Sequence, residues 1–147
     1  GRGVPADGAR AVTLYRAAAE LNVPRAFSML ADLYRRGAAG IPADPAASMQ
    51  WAQRAKDDDP AAQLIIGENY ALGIGAPQDF NQAIYWLKRA FDGGQAWAGY
   101  ELAQIYVGGA VPENPSEARR YAEAAAAGGV AEARTWLAEH PAGSATK

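Results

Sequence analysis

The chain has 147 residues, a formal net charge of −2, half of its residues hydrophobic and a fifth charged. That apolar content with so little net charge excludes an intrinsically disordered chain, and the absence of a basic excess excludes the usual nucleic-acid-binding surface. No run of about 18 apolar residues is present, so no segment of direct membrane insertion is expected.

There is no cysteine and one histidine, His140. Disulfides, thiolate nucleophiles and Cys-based zinc sites are thereby removed, as are two-His metal sites within one chain. The sequence starts at Gly1 rather than Met and carries no signal peptide, so it reads as a piece of a larger protein.

Aromatic and proline positions recur. Tyr34, Tyr70 and Tyr106 are 36 residues apart, Trp51, Trp86 and Tyr121 are 35 apart, and Leu30, Ile66 and Leu102 again fall at 36. Such parallel series mark one copied supersecondary unit. In chain order the expected elements are a partial repeat at 1–23, full repeats at 24–59, 60–94 and 95–129, a C-terminal helix at 130–140 and a disordered tail at 141–147.

Residues 1–23 supply only the back helix of a preceding unit, so Leu14, Tyr15 and Leu21 are expected to be partly exposed. Such solenoid ends offer a route to self-association. Each full unit reads as two helices. The front helix, helix A, has apolar residues at helical spacing, such as Ile66 and Tyr70. A Gly/Pro turn follows it, as in Gly73-Ile74-Gly75-Ala76-Pro77. Helix B opens on a side-chain acceptor, with Asp44-Pro45 and Asn114-Pro115 as N-cap and first helical residue. Asp79 with Gln82 and Asn114 with Glu117 have capping-box spacing. Gly93-Gly94 and Gly128-Gly129 end helix B, whereas the first full unit uses Asp57-Asp58-Asp59, with Asp59 placed to cap the next helix. A single helical hairpin cannot bury both its faces, so neighbours must stack. The fold class is all-α: a right-handed α-solenoid of stacked antiparallel helix pairs, covering 1–140.

The second unit carries Ala62, Ile66, Gly67, Tyr70, Gly73, Gly75, Asp79, Ala83, Trp86, Lys88, Ala90 and Gly93. This pattern resembles the Sel1-like repeat family, and Gly1–Asp7 resembles its inter-helix loop. The first unit departs from it by inserting Ala38-Ala39 between loop glycines, and the third has Gly108-Gly109 and Tyr121 in place of Trp. The resemblance implies a non-catalytic protein–protein interaction scaffold, part of a larger bacterial protein in signalling or the cell envelope, with the periplasmic side of a membrane-anchored parent favoured over the cytoplasm.

The chemistry-bearing residues read as structural. Gly73-x-Gly75 lacks the third glycine of a dinucleotide loop and follows a helix. The Asp57–Asp59 run lacks EF-hand spacing. His140 reads as a terminal residue without a special role, and no spacing brings an acid pair such as Glu20 and Asp32 into a pocket. No catalytic residue, cofactor or metal is expected.

Residues on the free side of helix A are candidates for partner binding. They are Arg25, Ser28, Asp32 and Arg35, then Ala61, Leu64, Glu68 and Ala71, then Trp97, Tyr100, Gln104 and Val107, with Glu132, Thr135 and Glu139 on the last helix. This is read as the concave face. Trp97 and Tyr100 stand out, because the other units carry no aromatic residue there and aromatics are enriched at binding hot spots. A protein or peptide partner is expected, and no nucleic acid. A peptidoglycan or other glycan contact is the alternative, since the same two rings can stack on sugars.

Overall fold

The computed structural model describes residues 8–38 and 40–141. The expected loop at Gly1–Asp7, the inserted Ala39 and the expected tail past Pro141 lie outside the described residues. The described chain forms α1 (Gly8–Glu20), α2 (Pro24–Arg36), α3 (Pro45–Ala55), α4 (Pro60–Leu72), α5 (Phe80–Asp92), α6 (Ala96–Val107), α7 (Pro115–Ala127) and α8 (Ala131–Glu139). The one strand-like feature among the described residues is an isolated bridge between Ala38 and Ile41, which closes the first unit's enlarged loop. Each helix packs on the next in sequence, and α2 also packs on α4. The result is an all-α solenoid.

Local chemistry sets the helix starts. Asp44 accepts from Ala47 N–H at 3.0 Å, Asp59 from Ala61 at 2.9 Å, Asp79 from Asn81 and Gln82 at 2.9 and 3.0 Å, and Asn114 from Glu117 at 3.1 Å. The reciprocal arm of the expected capping boxes is replaced. The backbone N–H of Asp44, Asp79 and Asn114 donates instead to the carbonyls of Tyr34, Tyr70 and Tyr106 at 2.8, 3.0 and 3.0 Å. Glu117 turns to Arg120. Each recurring tyrosine thus ties the end of its helix A to the start of helix B through the main chain.

The return turn from B to A also repeats. Val23, Gln95 and Val130 donate their N–H to Ala18, Ala90 and Ala125. The residue before each of them has positive φ: Asn22 (55°), Gly94 (93°) and Gly129 (96°). Asn is the non-glycine residue that best tolerates this region. The first full unit breaks the pattern, with Asp58 and Asp59 both donating to Ala55.

The core is a series of clusters strung along the stack. Leu30, Ile66 and Leu102, at the same position in successive units, are fully buried. Ala26, Ala62, Ala98 and Ala133 line the close approaches between helices. The helix-B aromatics are packing residues. Trp86 joins Ile65, Ile66 and Met49, and Tyr121 joins Leu102 and Ile105. Trp51 stacks on Phe27 beneath Arg54. His140 departs from its expected idle role. Its ring stacks on Trp136 with centroids 4.1 Å apart, and Arg119 donates to its carbonyl at 3.0 Å, which ties α7 to the end of α8. At the other end Leu14 and Leu21 are exposed, while Tyr15 packs on the first cluster.

Candidate functional site

Because α2 packs directly on α4, their free sides enclose a groove. Its volume is about 210 Å³, and it is lined by Arg25, Ser28, Met29, Asp32, Arg35, Arg36, Ala61, Leu64, Ile65 and Glu68. The floor is apolar, from Met29, Ala61, Leu64 and Ile65. The rim is charged.

Helical spacing explains the grouping. Arg25, Ser28, Asp32 and Arg35 are three or four residues apart on α2, as are Ala61, Leu64 and Glu68 on α4, so each set shares one helix face. Arg35 joins the two helices. Its guanidinium donates to Glu68 Oε2 across the groove and to Asp32 Oδ1 at 3.0 Å along its own helix. Arg36 donates to the same Asp32 oxygen at 2.8 Å. Arg25 is exposed and has no ion-pair partner among the described residues.

Glu68 is only 8% exposed. Burial pushes its carboxyl above the ordinary value; Arg35 pulls it back, and Glu101 and Asp32 push it further up. Glu101 on α6 is likewise raised by burial, and is lowered in part by the Trp97 indole and by Arg35. Arg35, Glu68 and Glu101 thus feel one another's charge, which brings the chemistry of α6 near that of the packed pair α2 and α4.

On α6, Trp97 Nε1–H donates to Glu101 Oε1 at 3.0 Å, and its ring meets Tyr100 edge-on, with centroids 5.2 Å apart and planes at 63°. The two aromatics then part company. Tyr100 packs against the cluster of Ala103, Ala118, Ala122 and Trp136, while Trp97 belongs to no core cluster. Gln104 is exposed, and Val107 packs on the same cluster as Tyr100. Glu132, Thr135 and Glu139 are exposed on α8. Besides Glu68, two of the expected open positions are closed. Ser28 is buried with its hydroxyl on the Arg25 carbonyl, and Ala71 is buried in the cluster around Leu87. Met29, Ile65, Arg36 and Glu101 were not singled out by sequence reasoning. Glu101 was discoverable there, since it lies four residues after Trp97 and one after Tyr100.

No described helix is long and apolar enough to cross a membrane.

The Sel1 repeat family model matches residues 1–23, 25–59, 60–95 and 98–130. A chitin synthase regulator, SKT5, of the fungus Malassezia restricta is 32% identical over 102 residues, which is 68% of this chain and 7% of that protein. A Sel1 repeat protein from Oxalobacter formigenes superposes with a TM-score of 0.81 at 30% identity, covering 90% of this chain and 55% of the other. A protective antigen present in uropathogenic Escherichia coli strains, described as displaying an SLR fold, superposes at 0.77 with 26% identity, over 87% of this chain and 28% of that one. This chain therefore spans about half of the first of these structures and a small part of the fungal relative. It belongs to the Sel1 repeat family, whose members generally mediate protein–protein interaction and are generally non-catalytic.

Proposed function

We propose that the chain is the interaction scaffold of a larger protein and binds a protein or peptide partner through the helix-A face of α2, α4 and α6. The observation that carries the reading is the groove between α2 and α4: an apolar floor under a charged rim, continued on α6 by Trp97. Buried apolar anchors inside a polar rim are how interfaces gain affinity and specificity. The recurring back-helix aromatics, Trp51, Trp86 and Tyr121, are spent on internal packing, whereas Trp97 on the front face belongs to no core cluster.

The test is affinity capture of a partner from cell lysate, repeated with purified partner, using the chain and a Trp97→Ala, Tyr100→Ala variant. Circular dichroism confirms that both are folded, which matters because Tyr100 packs on the core. Loss of the partner by the folded variant supports the reading. Full affinity in the variant, or co-pelleting with purified cell wall in place of any protein capture, would contradict it.

A further inference from the structure

The front face is electrically polarised. Helix α2 carries Arg25, Arg35 and Arg36 against one acid, Asp32. Helix α4 carries a single charged residue, Glu68, and α6 a single one, Glu101. Neither α4 nor α6 contains a lysine or arginine. Arg35 is shared between Asp32 and Glu68 and Arg36 is held by Asp32, so on these three helices the cation without an ion pair among the described residues is Arg25, at one end of the groove. At the other end of the face, on α6 and past the groove's own lining, Glu101 accepts the Trp97 indole N–H, its one hydrogen bond among the described residues, and lies beside the Trp97 ring. Between these ends runs the floor of Met29, Leu64 and Ile65.

Resting on the function proposed above, we infer that the occupant of this groove is an extended peptide segment crossing the helices, with an acidic side chain over α2, an apolar one in the groove and a basic one over α6. Charge complementarity selects it. A carboxylate meets Arg25 on α2, since Arg36 is held by Asp32 at the far end of the helix, and a Lys or Arg meets Glu101 and the face of Trp97, where a cation is favoured by both the carboxylate and the ring. The spacing follows from geometry. If α6 follows α4 by the step of about 8–10 Å at which packed helices such as α2 and α4 stand, two steps lie between α2 and α6, and an extended chain advancing about 3.3–3.6 Å per residue sets the acid and the base about five or six residues apart. The polarity also fixes the direction in which the segment lies.

The experiment is selection of a displayed library of random peptides, long enough to cross all three helices, on the folded chain. Enriched peptides are then measured on Arg25→Glu, Glu101→Gln and Trp97→Ala variants. Arg25 is exposed without an ion pair, and Gln retains an acceptor for the Trp97 indole, so the first two variants leave the fold intact. The inference predicts enrichment of an acid–apolar–base pattern at that spacing. It also predicts affinity about tenfold weaker on Arg25→Glu, with a smaller loss on Glu101→Gln that is confined to peptides carrying the base. Peptides that enrich and lose affinity on Trp97→Ala, but show no charge pattern and no response to Arg25→Glu, would overturn the inference and leave the scaffold reading standing. Failure to enrich any peptide, or enriched peptides indifferent to all three variants, would overturn both. A second copy of the chain in the groove would appear as a concentration-dependent dimer, disrupted by Arg25→Glu in sedimentation, and would also overturn the peptide assignment.

Discussion

Gly67 and Leu87 form a matched pair, and exchanging their sizes tests how the repeats stack. In the first and third units the corresponding positions are Ala31 with Ala52 and Ala103 with Ala122, each pair buried in one cluster. In the second unit one residue has shrunk and the other has grown. A Cβ on Gly67 would lie 2.7 Å from Leu87 Cγ, 2.9 Å from Cδ2 and 3.1 Å from its backbone nitrogen. Ordinary carbon contacts are about 3.5–4.0 Å, and Leu87 is fully buried with no room to retreat. Gly67→Ala gains about 1 kcal/mol of helix propensity and incurs overpacking of about 1–3 kcal/mol. The balance is a net loss of roughly 1 kcal/mol, a fall in Tm of about 2–4 °C. Leu87→Ala alone costs about 2–5 kcal/mol through its cavity. The double variant recreates the Ala–Ala pair of the other units, so it costs less than the sum of the singles, with a coupling of about 0.5–3 kcal/mol. Urea and thermal unfolding of the four proteins measure this cycle. A stabilised Gly67→Ala, or a strictly additive double variant, would refute the pairing.

Three further outcomes follow from the same structure. Glu101→Gln removes a carboxylate that binds its proton more tightly folded than unfolded. The neutral form favours the fold and that contribution is lost as pH rises through the raised folded value, so the variant melts above the parent at pH 7, and the gap closes as pH falls below the ordinary carboxylate range. Gly75 has φ of 70°, and a Cβ there would meet the Pro45 carbonyl oxygen at 2.2 Å, whereas Gly94 has positive φ in open space. Gly75→Ala therefore costs more than the left-handed strain of about 1–2 kcal/mol that limits Gly94→Ala, and equal losses in denaturant titration would contradict the loop's seating on α3. Asp79→Ala removes the acceptor for two α5 amides and costs about 1 kcal/mol, read in the same titration.

The architecture was legible because it is carried by periodic residues. Tyr34, Tyr70 and Tyr106 mark helix A, Trp51, Trp86 and Tyr121 mark helix B, and Asp44, Asp79 and Asn114 mark the caps, each at a fixed position along a helix. Helical spacing likewise gathers Arg25, Asp32, Arg35, Leu64 and Glu68 on one side. What spacing does not encode is what lies across a helix–helix interface. The size exchange between Gly67 and Leu87 needs the partner helix, as does the sharing of Arg35 by Asp32 and Glu68. Tyr100 has the same helical phase as its counterparts, yet it packs on the cluster around Trp136, while Trp97, also partly buried, joins no core cluster. The tyrosine carbonyls that displace the capping-box arm are main-chain acceptors, which side-chain identity does not reveal. His140 gains its role from Trp136, four residues earlier, through ring stacking.

Hydrogen–deuterium exchange of the chain, alone and with a purified partner, tests the central claim most directly. The account predicts added protection on α2, α4 and α6, strongest around Arg25–Arg36 and Ala61–Glu68 and extending to Trp97. Protection confined to the outer surface of α3, α5 and α7, around the exposed Tyr85, or to α1 beside Leu14 and Leu21, would contradict it.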